Sequence, residues 1–112
     1  MFDKLVLAMN AVPYGPQKLT SNDVATALPA TVLANTATGS TRGVLRVTIT
    51  CETNSIRYAF GVTPDQANAI GHLLTAGSSV TIGHPQAATL FKFISAAANT
   101  AGVLQVTGEY GE

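Results

Sequence analysis

Val44-Leu45-Arg46-Val47-Thr48-Ile49-Thr50-Cys51-Glu52, then Thr53-Asn54-Ser55, then Ile56-Arg57-Tyr58-Ala59-Phe60-Gly61 is the most regular part of this 112-residue chain. Leu45, Val47, Ile49 and Cys51 alternate with Arg46, Thr48, Thr50 and Glu52, a period of two that places the apolar set on one face of a strand and the polar set on the other. Ile56, Tyr58 and Phe60 repeat the pattern against Arg57 and Ala59 until Gly61. Thr53, Asn54 and Ser55 are turn formers, so the two runs are expected to make a β-hairpin.

Outward from this pair, the same period recurs. Residues 2–9 carry Leu5, Leu7 and Met9 on one side of an expected strand, which Pro13, Gly15 and Pro16 stop. Val80 and Ile82 lie in phase between Gly77-Ser78 and Gly83-His84-Pro85. Phe91 and Phe93 alternate about Lys92, and Leu104, Val106 and Tyr110 alternate with Gln105, Thr107 and Glu109. With 99–102 as the loop between them, these last runs are expected to form a second hairpin. Ala87, Ala88 and 96–98 favour helix over 85–98, and the phasing of Phe91 with Phe93 favours strand. Thr63-Pro64-Asp65-Gln66 has the form of a helix start, limited by Gly71 to about two turns.

Residues 10–42 differ in kind. They are rich in Ala, Thr, Ser and Asn, follow neither period, and offer only Leu19, Val24, Leu28, Val32 and Leu33 as anchors. This stretch is expected to be an extended arm or irregular segment within a single domain spanning 1–112. Short half-apolar strands joined by Gly, Pro and Asn turns imply an all-β fold, an antiparallel β-sandwich or small barrel of six to eight strands with one short helical turn. Its expected core is Leu45, Val47, Ile49, Ile56, Tyr58, Phe60, Phe91, Phe93, Leu104 and Val106.

Composition bears on function. Charged residues make up 11% of the chain, against roughly 25% in typical soluble domains, and six basic and six acidic side chains cancel. A surface short of charge and without net charge lacks the self-repulsion that keeps monomers apart, which points to a subunit of an assembly. Lys4, Lys18, Arg42, Arg46, Arg57 and Lys92 are scattered singly, so no basic patch addresses nucleic acid. The apolar runs 5–9 and 96–98 fall far below the ~18 residues that span a bilayer, and the first of them is too short for a signal peptide. The chain is expected to stay in the compartment where it is made, and the single Cys51 agrees with a reducing cytoplasm.

No catalytic constellation emerges. His72 and His84 lack a nearby Cys, Asp or Glu to complete a metal site and read as turn residues. Cys51 shares the core phase of its strand and reads as a buried, inert thiol. Glu52 and Asp65 are the internal carboxylate pair, and each has an ordinary structural place, at a turn and at a helix start. The glycines sit singly, without phosphate-loop spacing. No enzymatic activity, cofactor, metal or small-molecule substrate is expected.

The order of short motifs carries a further signal. Val44-Leu45-Arg46-Val47-Thr48-Ile49-Thr50, Asn54-Ser55-Ile56-Arg57-Tyr58-Ala59, Thr63-Pro64, Gly71-His72-Leu73-Leu74, Ala76-Gly77, Phe91-Lys92-Phe93-Ile94 and Leu104-Gln105-Val106-Thr107 follow one another over more than half the chain. In this order they resemble small structural proteins encoded by tailed bacteriophages. The resemblance implies a virion component without enzymatic activity, made in the host cytoplasm. For a protein of this size it implies a capsid decoration or cement protein, many copies of which bind and stabilise the shell. Its partners would be the major capsid protein and copies of itself as a homo-oligomer, with no nucleic acid and no membrane. A tail or head-to-tail connector component is the alternative, and a small ligand-binding β-sandwich a second. The expected partner contacts are Arg57, an isolated charge between Ile56 and Tyr58, and Arg46, Thr48 and Thr50, which share the polar face of the preceding strand.

Overall fold

Among the described residues, alternation sorts the chain into eight strands, β1 (Val12–Thr20), β2 (Thr26–Ala27), β3 (Val44–Thr53), β4 (Ile56–Phe60), β5 (His72–Leu74), β6 (Ser79–Ile82), β7 (Phe91–Ser95) and β8 (Val103–Tyr110). Two short helices, α1 (Ala30–Leu33) and α2 (Pro85–Leu90), lie among the same residues. The structure is a computed structural model and describes residues 12–34 and 43–111. The strand expected over 2–9 lies outside them.

The strands form two four-stranded antiparallel sheets, ordered β1-β8-β3-β6 and β2-β7-β4-β5. Such an interleaved order, in which all sequence neighbours but β4 and β5 lie in opposite sheets, is that of a jelly roll, two Greek keys folded over each other. The expected all-β sandwich is therefore the observed one, with two short helices where one helical turn was expected.

Both expected hairpins are corrected. β3 belongs to the first sheet, paired with β6 and β8, and β4 to the second, paired with β5 and β7. The turn at Thr53-Asn54-Ser55 thus crosses from one sheet to the other. β7 and β8 are likewise joined across the sandwich. Two consecutive half-apolar strands bury their apolar faces equally well side by side or face to face, so alternation alone does not separate the two arrangements.

Val47, Ile49, Cys51, Ile56, Phe91, Leu104, Val106 and Tyr110 are wholly buried between the sheets, with Phe93 nearly so. Three expected core residues are not. A register shift between Val44 and Arg46 turns Val44 inward and leaves Leu45 half-buried. Tyr58 is half-buried and Phe60 exposed, because β4 carries its inner face out to the end of the sandwich. The helix expected at Thr63 is absent. The Asp65 carboxylate accepts from Ala67 N and Asn68 Nδ2, a local turn that competes with a helical ladder, and Asp65 pairs with Ile70 across it. Both signals in 85–98 prove real: Pro85–Leu90 is helical and Phe91–Ser95 extended.

Within the stretch 10–42, β1 runs through Pro13 and Pro16 as an edge strand on β8, with a register shift between Tyr14 and Gln17. Gly15 sits at φ +139°, and a Cβ there would stand 2.8 Å from the Val106 carbonyl oxygen, so this approach of β1 to β8 requires glycine. Leu28 and Val32 reach the core.

Candidate interaction surfaces

On the outer face of the first sheet, cross-strand register gathers side chains that are far apart in sequence. Thr48 lies between Thr81 and Thr107, and Thr50 between Ser79 and Gln105, with Lys18 beyond Gln105 on β1. The Thr50 and Ser79 hydroxyls are 2.9 Å apart and hydrogen-bonded. Arg46 faces Glu109, donating from Nε at 2.7 Å and from Nη2 at 2.6 Å in a two-pronged pair. That geometry raises the guanidinium pKa and holds the Glu109 carboxyl below its ordinary value, the hydrogen bond being the larger cause in both. Gln105 Nε2 donates to Glu52 Oε1 at 2.9 Å. The result is a hydroxyl-rich face on which Arg46 and Lys18 balance Glu109 and Glu52. Three of the four expected contact residues, Arg46, Thr48 and Thr50, are brought together there.

Arg57 lies on the other sheet. It sits on the outer face between Leu73 of β5 and Ile94 of β7, half-buried, with Nη1 donating to the Gly71 carbonyl at 3.1 Å. Its Nε is buried without a hydrogen-bond partner among the described residues. An orphaned buried donor on a charged group is a cost the fold carries without local return.

A third feature escaped the sequence patterns. Tyr58 stacks on Phe91 at 5.5 Å between ring centroids and meets Phe60 edge-on at 5.9 Å and His72 at 5.4 Å, while Phe91 contacts Phe93 at 6.0 Å. This aromatic series runs from the core to an open cleft of about 370 Å³ lined by Ala59, Phe60, Val62, Ile70, Gly71 and His72. The available signal was Val62 and Ile70, apolar residues stranded among turn formers. They line a surface and have no place in a core.

The remaining chemical candidates are accounted for structurally. His84 caps α2, its Nδ1 accepting from Gln86 N at 3.2 Å, with Pro85 at the first helical position. The Cys51 thiol is buried and donates to the Asn54 carbonyl at 3.1 Å, and burial pushes its pKa up, away from the reactive thiolate. Glu52 is held by Gln105, and Asp65 by Ala67 and Asn68, on separate elements. A second, polar cleft of about 280 Å³ lies over Ser21, Asp23, Ser95 and Asn99. There Asp23 accepts from Gln66 Nε2 and from Asn99 N. Among the described residues no group of three His, Cys, Asp or Glu is placed to hold a metal ion, and no helix is long and apolar enough to cross a membrane.

No protein-family model matches the chain, and no curated protein sequence matches it. Among solved structures, hydroxypropylphosphonic acid epoxidase from S. wedmorenis, in complex with fosfomycin, superposes with a TM-score of 0.50 at 15% identity. The match covers 90% of this chain and 44% of the epoxidase, so the chain spans less than half that protein's length. A protein of Bacillus endospore appendages, described as forming disulfide-linked pili, superposes with a TM-score of 0.46 at 13% identity, over 91% of this chain and 88% of that one. At its level of identity, the match to the epoxidase shows a shared fold alone.

Proposed function

We propose that the chain is a non-enzymatic virion structural protein of a tailed bacteriophage, a capsid decoration or cement protein that binds the major capsid protein and stabilises the shell. One observation carries the reading: buried side chains of both sheets meet in one apolar cluster between them, which leaves the outer surfaces for recognition. Those surfaces are a neutral, hydroxyl-rich sheet face and an apolar rim. A flat face of Thr48, Thr50, Thr81 and Thr107 offers hydrogen bonds without the desolvation cost of unpaired charge, as suits a permanent protein contact. The ordered motifs from Val44 to Thr107 and a jelly-roll architecture, which viral capsid proteins use among others, support it further. The work would be done in the virion, after synthesis in the host cytoplasm.

The test is to add the purified chain to heads assembled without it. Saturable binding at hundreds of copies per head, with greater resistance of loaded heads to heat and osmotic shock, is the expected result. Replacing Thr48 and Thr50 by Lys should weaken binding while the melting temperature of the free chain stays within a few degrees of the parent. Absence of binding to heads together with binding to purified tails would replace this reading with the tail or connector one.

A further inference from the structure

A sheet that is not closed has edges, and natural edge strands carry devices against pairing with another chain. Among the described residues the four edges carry such devices unequally. β1 is interrupted by Pro13, Pro16 and a register shift, and bears Lys18. β2 is two residues long, and β6 has α2 packed against it. β5, His72–Leu74, is short as well, but it has no Pro, Lys or bulge, and it pairs with β4 on one side only among the described residues.

Four of the exposed large apolar side chains lie on β5 or beside it, while Tyr14, Val24 and Leu90 are exposed elsewhere. Leu73 of β5 is 51% exposed, and Phe60, Val62 and Ile70, which share the cleft with His72, are 40%, 59% and 45% exposed. A strand edge without Pro, Lys or a bulge, next to exposed apolar side chains, is the arrangement that strand addition uses.

We propose that β5 pairs antiparallel with β5 of a second copy, about a two-fold axis through Leu73, joining the two β2-β7-β4-β5 sheets into one. This register sets Leu73 against Leu73 on the outer face, and His72 against Leu74 on the inner face, so the side-chain parity of both sheets is kept. It also carries Thr75 and Ala76 of the second copy toward the cleft beside Gly71 and Ile70. The charges suit a self-paired edge. No ionised side chain stands opposite another, and the two Arg57 residues are separated by three strand spacings, about 14 Å, beyond the screening length of about 8 Å at physiological salt. Three strand residues and four apolar side chains make an interface smaller than the roughly 800 Å² per partner of standard complexes, which places the dimer in the weak, concentration-dependent class.

The inference deepens the homo-oligomer part of the proposed function, and its test uses the chain alone, so failure to bind heads leaves it intact. Sedimentation velocity from micromolar to several hundred micromolar should show a monomer–dimer equilibrium. Leu73→Lys sets like charges directly opposite one another and should weaken it at least about tenfold, with an unchanged far-ultraviolet spectrum. Thr81→Lys, on the β6 edge, should leave it unaltered. In a Cys51→Ala background, Leu73→Cys should oxidise to a disulfide-linked dimer with the melting temperature of the unlinked protein, because paired Cα atoms across antiparallel strands lie about 4.5–5.5 Å apart. A parent chain that stays monomeric throughout, or a dimer broken by Thr81→Lys and spared by Leu73→Lys, would overturn the proposal.

Discussion

Tyr110 shows how much one side chain organises. It is wholly buried, its hydroxyl donates to the Val32 carbonyl, and its ring lies over Gly108, where a Cβ would collide with it. Through that bond the end of β8 fixes α1, a four-residue helix without a side-chain cap. Tyr110→Phe keeps the ring and orphans a buried carbonyl, for which the expected loss is about 1–3 kcal/mol of unfolding free energy in a urea titration. Glu109, one residue earlier, carries the pH dependence. Its carboxyl is held below the ordinary 4.5 by hydrogen bonding to Arg46, and Asp65 is held low chiefly by Asn68. As pH falls, the unfolded chain takes up these protons first. The stabilisation is fully present above the ordinary carboxylate range and is lost as pH drops through it toward the folded values. The urea midpoint should fall on acidification from about pH 5.5 to 3.5, and Arg46→Gln should remove part of that fall. An Arg46→Gln profile that superimposes on the parent's would show that the pair contributes nothing.

At the scale of elements, two of the sheet crossings, 53–56 and 95–103, sit against each other and are tied by polar bonds. Asn54, at φ 53°, donates from Nδ2 to the Ala101 carbonyl at 2.9 Å, and Ala96 N donates to the Ser55 carbonyl at 3.0 Å. A Cβ on Gly102 would stand 2.6 Å from the Asn54 carbonyl oxygen, so the crossings approach as closely as backbone allows. Ser21 binds β1 to the same place. Its N–H donates to the Gly102 carbonyl, its Oγ accepts from Gly102 N at 2.7 Å, and that Oγ lies 2.7 Å from the Ser95 Oγ. Ser21 and Ser95 are the buried polar side chains of the core region. Ser21→Ala leaves the Gly102 N–H and the Ser95 hydroxyl without this partner, and should cost about 1–3 kcal/mol. Hydrogen exchange should accelerate at Gly102 before it does in β3. Protection at Gly102 equal to the parent's would contradict that account.

Across the whole molecule, both sheets draw on one core, which predicts cooperative behaviour. Phe91 in the second sheet is wholly buried, at the base of the aromatic series, and Tyr110 in the first is buried in the same apolar cluster. Phe91→Ala should cost about 3–5 kcal/mol by the combined loss of burial and the cavity left behind. Near-ultraviolet and far-ultraviolet melts of this variant should still coincide, since both sheets contribute to a single apolar cluster. Separated transitions would mean that the sheets are independently stable. The rim of Phe60, Val62, Ile70 and Leu73 lies outside the buried core, and its exposure in a chain without net charge is the feature that most favours association.

The sequence by itself determined where the main strands lie and which way most of their side chains face. The alternation of Val47, Ile49 and Cys51 with Thr48 and Thr50, and of Leu104 and Val106 with Gln105 and Thr107, follows from strand geometry and the cost of leaving large apolar groups in water. It therefore also placed Arg46, Thr48 and Thr50 on one wet face. Sheet membership was decided only in the tertiary structure. Ile56 and Phe91 have the same local pattern whether their strands lie beside β3 and β8 or opposite them, and the free energy that chooses comes from packing one apolar face on another. The same holds for β1, whose prolines read locally as breakers but are tolerated at a sheet edge, where backbone N–H groups can face outward. The cleft and the open β5 edge are likewise tertiary, because they depend on which strand has no neighbour.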